Sequence, residues 1–157
     1  MKHGGTTAAA GRIRTFLLIL FVLGVVGTGT ELLLLEHTED MWQLVPLAMM
    51  AISLVAIVWF VVARGRAAML ALRAVMALFV ASGFAGVFLH YKSNAEFELE
   101  MYPSMKGFEL FRESIMGAMP ALAPGTMIGL GLLGLIYTYH HPVLERGDSN
   151  FTTSNPS

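Results

Sequence analysis

Four apolar stretches, each close to the length of a bilayer crossing, constrain this chain more than any other feature of its sequence. They predict membrane-spanning helices at about residues 14–35, 42–63, 67–90 and 121–140. About 20 apolar residues in an α-helix cover the roughly 30 Å of hydrocarbon in a bilayer. A transmembrane barrel would instead show alternating segments of about 10 residues, which this sequence lacks. The sequence therefore predicts an all-α integral membrane protein built as a four-transmembrane-helix bundle.

The composition agrees with a membrane location. Of the 157 residues, 55% are hydrophobic and 13% are charged, whereas about a quarter of the residues in a soluble domain are charged. The chain has no cysteine, which excludes disulfides, thiolate metal ligands and a cysteine nucleophile. Its serines lie in no nucleophile motif, and no glycine-rich phosphate loop is present. The sequence therefore does not favour an enzyme.

A single membrane domain is predicted over residues 1–141, followed by a disordered cytoplasmic tail over 142–157. Residues 1–11 are small and polar and are expected to be disordered as well. The long outer connection, 91–120, contains KGFELFRESIMGAM, in which charged and apolar residues separate onto opposite sides of a helix. We expect this segment to form an amphipathic helix that lies at the membrane interface or caps the bundle.

The first apolar stretch also resembles an export signal, because a basic start precedes it and the small residues Gly27-Thr28-Gly29 could form a cleavage site. The apolar run resumes at Leu32 and is long enough to span a bilayer. A retained first span is therefore preferred, and cleavage is the alternative.

Lysine and arginine fall mostly on one side of the predicted membrane. The side that holds both termini carries Lys2, Arg12, Arg14, Arg64, Arg66, Arg73 and Arg146, whereas the other side carries Lys92, Lys106 and Arg112. Basic residues favour cytoplasmic loops. We therefore expect a multi-pass protein of a bacterial-type inner (plasma) membrane with both termini in the cytoplasm.

Histidine and carboxylate residues gather at the outer ends of the first and third spans. The candidate metal ligands are Glu31, Glu36, His37, Asp40, His90, Glu96 and Glu98. Mixed histidine and carboxylate sites suit Zn²⁺, Mn²⁺ or Fe²⁺, and carboxylates alone suit Ca²⁺ or Mg²⁺. No HExxH motif or EF-hand loop is present, so the simpler interpretation is a solvated acidic face. The cofactor is unknown, and a divalent metal ion is the candidate.

Five individual residues suggest further chemistry. Glu31 lies inside an apolar stretch, where an ionisable group is costly and indicates a proton acceptor or cation ligand, unless it reaches the headgroup region. His37 and His90 are candidate axial ligands of heme, although both lie at helix edges. His140 and His141 end the last stretch and are interpreted as cations favoured at a helix C-terminus.

Glycines recur at helical spacing in three of the apolar stretches. They are Gly125-x-x-x-Gly129 with Gly131 and Gly134 in the fourth, Gly24, Gly27 and Gly29 in the first, and Gly83 and Gly86 in the third. Small residues let membrane helices approach closely. We expect them to pack helices within the monomer, with oligomerisation or docking onto another subunit as the alternative.

The architecture resembles that of many small bacterial four-span proteins, which does not give a function. The leading hypothesis is a non-enzymatic accessory or assembly subunit, or another partner-binding membrane protein. Its expected partners are the lipid bilayer and either another membrane protein or a second copy of the chain; the acidic outer face excludes nucleic acid. The alternatives are an ion- or proton-handling protein that uses Glu31 and the outer histidine and carboxylate residues, and a membrane redox subunit that binds heme.

Overall fold

The computed structural model describes residues 3–117 and 124–145 and, over these ranges, consists of helices joined by short connections, without a strand. Five helices have ten residues or more: α1 His3–Leu34, α2 Met41–Ala63, α3 Arg66–Met101, α4 Gly107–Met116 and α5 Gly125–Thr138. A single helical turn, 142–145, follows α5. Most of the predicted tail, 146–157, lies outside the described residues.

Three helices are long and apolar enough to cross a membrane: Ala8–Leu34 within α1, all of α2, and α3. Large apolar side chains such as Phe16, Val55 and Phe84 are exposed on their outer surfaces. A soluble monomer rarely exposes large contiguous apolar patches, whereas lipid solvates them. The prediction of an all-α membrane protein is confirmed at this level.

A fourth crossing stays a prediction. Helix α5 has 14 residues, which corresponds to a length of about 21 Å, whereas the hydrocarbon core is about 30 Å thick. Residues 121–123 of the predicted span lie outside the described part of the chain.

Helices α1 and α3 extend further than the sequence predicts. Helix α1 begins at His3, so the expected disorder is wrong for residues 3–11, and residues 1–2 lie outside the described part of the chain. Helix α3 continues to Met101 instead of ending near residue 90. The alternating acidic and apolar residues at its end do not stop the helix, because extending an existing helix costs little free energy. An ion pair between Lys92 and Glu96, one turn apart, also stabilises this part, with Nζ and Oε1 3.4 Å apart.

Helices α1, α2, α3 and α5 form a closed ring. Helix α3 packs most extensively against α5 and then α2, and α1 completes the ring by contacting both α2 and α5. The side chains buried inside the ring are almost all apolar. The buried hydrophobic residues are Phe21, Val25, Met50, Ala56, Ile57, Phe60, Ala68, Met69, Leu72, Met76, Phe79, Met127, Leu130 and Tyr137.

Glycines bring α3 and α5 into backbone contact. A Cβ atom added to Gly131 would lie 2.8 Å from the carbonyl oxygen of Met76, and one added to Gly83 would lie 2.8 Å from the backbone nitrogen of Ile128. Within the described residues, a Cβ atom on Gly129 would meet nothing within 4 Å. The expected packing within the monomer is therefore confirmed for Gly131 and Gly83, whereas for Gly129 it stays a prediction without support from the described residues.

Helix α4 folds back onto the distal part of α3. The side-chain amide of Asn94 donates a hydrogen bond to the carbonyl oxygen of Ser114 at 2.8 Å, and both residues are buried. The rings of Tyr91 and Phe111 lie 5.9 Å apart. Helix α4 thus lies within the connection that was expected to be helical. Its position relative to the membrane stays a prediction, and residues 118–120 of that connection lie outside the described residues.

Candidate functional site

The acidic turn between α1 and α2 uses one of its candidate metal ligands as a helix cap. The carboxylate of Asp40 accepts hydrogen bonds from the backbone N–H groups of Trp42 and Gln43, at 2.7 and 2.9 Å. The Gln43 side chain in turn accepts a hydrogen bond from the backbone N–H of Glu39 at 2.8 Å. This reciprocal arrangement satisfies donors that a helix N-terminus otherwise leaves unpaired. Asp40 therefore has a structural role that does not require a metal.

The other candidate ligands occupy separate environments. Glu31 is exposed near the end of α1, and Glu36 is exposed in the following turn, where its backbone is left-handed. On α3, Glu96 is exposed and paired with Lys92, and Glu98 is half-buried. The two histidines, His37 and His90, are half-buried. Among the residues that the structure describes, no three histidine, aspartate or glutamate side chains come together in a group that could hold a metal ion. The metal site thus stays a prediction without support from the structure, and so does the heme pair of His37 and His90.

A different group of polar residues comes together at the opposite, basic end of the bundle. The guanidinium of Arg14, about three turns into α1, donates to the carbonyl oxygen of His140 at 2.8 Å. The guanidinium of Arg66, at the start of α3, donates to the carbonyl oxygen of Leu144 at 3.1 Å. Both hydrogen bonds satisfy carbonyl groups of the segment that follows α5. They fix the segment 140–145 beneath the ring of helices.

His141 is the most enclosed histidine of this segment. Its ring lies edge-on to Phe60 with the ring centroids 5.3 Å apart, and 5.6 Å from the ring of Tyr137. Burial lowers the pKa of His141 below its usual value, and the nearby charge of Arg14 lowers it further, while Glu145 acts in the opposite direction. The imidazole is therefore neutral at pH 7. Because its Nδ1 accepts a hydrogen bond from the Val143 backbone N–H at 3.3 Å, we assign the ring proton to Nε2.

A cleft of about 290 Å³ opens beside His141, between α1 and the end of α5. Its walls combine one cation, an imidazole, a phenol and a hydroxyl with apolar surface. They are formed by Gly11, Arg14, Thr15 and Leu18 of α1 together with Tyr137, His141 and Pro142. We define these seven residues as the basic-end cleft.

The sequence does not predict this cleft. The interpretation of His140 and His141 as helix C-terminal cations stays a prediction, and burial disfavours the charged form of His141. Two signals were present in the sequence: the His-His-Pro run after the last apolar stretch, and an arginine at the start of the first stretch on the same predicted side. Only the packing of α1 against α5 brings these two signals together.

Comparisons of the chain with protein families, with curated proteins and with solved structures gave no match. Function is therefore inferred from the residues and their contacts.

Proposed function

We propose that the protein is a non-enzymatic accessory or assembly subunit that binds a partner membrane protein through the distal part of α3 and the helix packed on it. This region, residues 91–117, is called the outer projection. The supporting observation is the length of α3: its 36 residues extend for about 54 Å, against about 30 Å of hydrocarbon. Helix α4 returns along this extension and buries Asn94 and Ser114. A rigid, packed extension of this kind offers a stable surface to a partner.

The surface chemistry of the outer projection supports a partner with basic and apolar groups. Phe97, Phe108 and Met116 are 52%, 78% and 74% exposed. Large apolar side chains are the usual anchors of protein interfaces. The outer projection also carries five carboxylates against three basic side chains, so it favours a partner surface of positive charge.

Small residues on α5 supply a second, intramembrane surface for the same partner. Within the described part of the chain, Cβ atoms on Gly125 and Gly129 would meet nothing within 4 Å. One turn separates these two residues, so they lie on the same side of the helix. Such a strip allows a partner helix to approach closely in a bilayer.

The proposed location is a bacterial-type inner membrane with both termini in the cytoplasm. The hydrogen bonds of Arg14 and Arg66 to the segment after α5 place basic residues from both helices at one end of the bundle. The acidic outer projection includes the last residues of α3, at the opposite end of that helix from Arg66. This sorting supports the orientation because arginine and lysine favour the cytoplasmic side.

Site-specific photo-crosslinking in native membranes tests the proposal. A photoreactive phenylalanine analogue replaces Phe108 in the outer projection or, as the control, Phe84, which is 61% exposed on the apolar part of α3. Both variants exchange one exposed phenylalanine for the same probe. We expect a discrete protein adduct from position 108, identified by mass spectrometry, and only lipid adducts from position 84. The same adducts from both positions, or no protein adduct from position 108, would contradict the proposal.

A further inference from the structure

We propose that the basic-end cleft binds the phosphate group of an anionic phospholipid. The first support is its set of hydrogen-bond donors. The Arg14 guanidinium uses part of its five-donor fork on the carbonyl of His140, and its planar shape matches phosphate oxygens well. His141 and Tyr137, whose side chains carry an N–H and an O–H donor, also line the cleft. A cation and two neutral donors suit an anion with several acceptor oxygens.

The carboxylate of Glu145, which acts on the pKa of His141, contacts His140. The Oε1 atom of Glu145 lies 3.0 Å from the Nδ1 atom of His140, and Glu145 is not part of the cleft wall. The basic-end cleft therefore contains no acidic side chain among its seven residues. Its formal charge comes from Arg14 alone, which favours an anion over a cation.

The size of the cleft suits a headgroup and excludes a complete lipid. Binding pockets for small molecules usually have volumes of about 300–1,000 Å³, and this cleft of about 290 Å³ is at the lower limit. The acyl chains would therefore remain outside it. Leu18 forms part of the wall, and half-buried Val22 lies one turn further along α1 on the same side, so apolar surface continues from the cleft along α1.

The position along the chain also favours a lipid over a soluble ligand. Arg14 immediately precedes the apolar run of α1, and His141 follows α5 after two residues. In the proposed orientation, on which this inference rests, the cleft lies at the cytoplasmic end of the bundle, the end that faces a layer of lipid phosphates. Basic pockets between membrane helices on the cytoplasmic side are suited to anionic lipid headgroups.

Lipid titrations followed by native mass spectrometry test this inference on the full-length protein in a neutral detergent. The ligands are phosphatidylglycerol, phosphatidylcholine and, as a soluble source of the same group, inorganic phosphate. We expect phosphatidylglycerol adducts at several-fold lower concentration than phosphatidylcholine adducts. Arg14→Gln should weaken phosphatidylglycerol binding about tenfold, as expected for the loss of hydrogen bonds from a charged donor. Arg14→Lys, which keeps the charge, should lose less.

The matched control is Arg12→Gln, because Arg12 is an exposed arginine two residues away on the same helix and outside the cleft. It should change binding by less than about twofold, since only general surface attraction is reduced. Equal losses from Arg12→Gln and Arg14→Gln would overturn the inference, and so would equal binding of the two lipids to the wild-type protein. Displacement of bound phosphatidylglycerol by millimolar inorganic phosphate would assign the cleft to a soluble phosphate instead. If Arg14→Gln does not fold, the preference of the wild-type protein for phosphatidylglycerol over phosphatidylcholine decides whether the inference holds.

Discussion

The side-chain amide of Asn94 and the backbone carbonyl of Ser114 form a 2.8 Å hydrogen bond between α3 and α4, in a contact where both residues are buried. Ser114 also donates its hydroxyl to the carbonyl oxygen of Leu110 at 2.6 Å. Gly117 lies close by, and a Cβ atom there would be 2.8 Å from the Asn94 side chain. A polar contact therefore positions the helix on which the proposed partner surface is carried.

Replacing Asn94 by alanine should loosen α4 from α3. The substitution leaves the buried carbonyl of Ser114 without this donor, which costs about 1–3 kcal/mol. Hydrogen exchange of the backbone amides of α4 should accelerate by about tenfold or more. Ser93→Ala is the control, since Ser93 is the exposed neighbour of Asn94 on the same helix. Equal exchange rates in the two variants would show that Asn94 does not hold α4.

Alanine at Gly131 should destabilise the bundle, whereas alanine at Gly129 should not. The added methyl group at Gly131 meets the backbone of α3 at Met76, which cannot move aside as a flexible side chain can. Overpacking of this kind costs about 1–3 kcal/mol. Gly129 has open space at its Cβ position within the described residues, and the better helix propensity of alanine should leave stability equal or slightly higher. Thermal unfolding of the two variants in detergent measures the difference.

Asp40 should tolerate asparagine better than alanine. Asparagine keeps a side-chain oxygen that can accept from the N–H groups of Trp42 and Gln43, whereas alanine removes the cap at a cost of about 0.5–2 kcal/mol. A metal-ligand role would give a different order, because both substitutions remove the carboxylate charge. Unfolding midpoints measured with and without added Zn²⁺ or Ca²⁺ distinguish the two roles. A loss of stability in Asp40→Asn that matches Asp40→Ala would contradict the capping role.

The folded protein should lose stability as the pH falls below about 6.5. Burial and Arg14 lower the pKa of His141 from 6.5, so between the lowered value and 6.5 the unfolded chain binds a proton that the folded chain does not. The free energy of unfolding therefore falls as the pH decreases through this window and is fully restored above it. His141→Gln should reduce this dependence, measured as the change in unfolding midpoint between pH 7.5 and pH 5.5. His140→Gln, at the exposed neighbouring histidine that contacts Glu145, should retain it.

Much of the architecture could be predicted because a membrane helix depends on the residues of a single continuous segment. A run of about 20 apolar residues has one stable conformation in hydrocarbon, which satisfies every backbone hydrogen bond within the run. The bounds predicted for the second span, 42–63, therefore agree closely with α2, Met41–Ala63. The end of α3 was misjudged because its alternating acid and apolar residues have no clear helical period, and the helix nevertheless continues to Met101.

The contacts that form the sites were harder to predict from the sequence, because they depend on which helices pack against each other. From the sequence by itself, the apolar stretches determined the helical class of the protein, its membrane character and the sorting of its charges along the chain. Only the tertiary structure decided that Gly131 packs against the backbone of α3, and that Arg14 meets the segment around His141. The physical reason is range: backbone satisfaction and hydrophobicity act within one segment, whereas a hydrogen bond between residues 126 positions apart exists only after α1 and α5 have packed together.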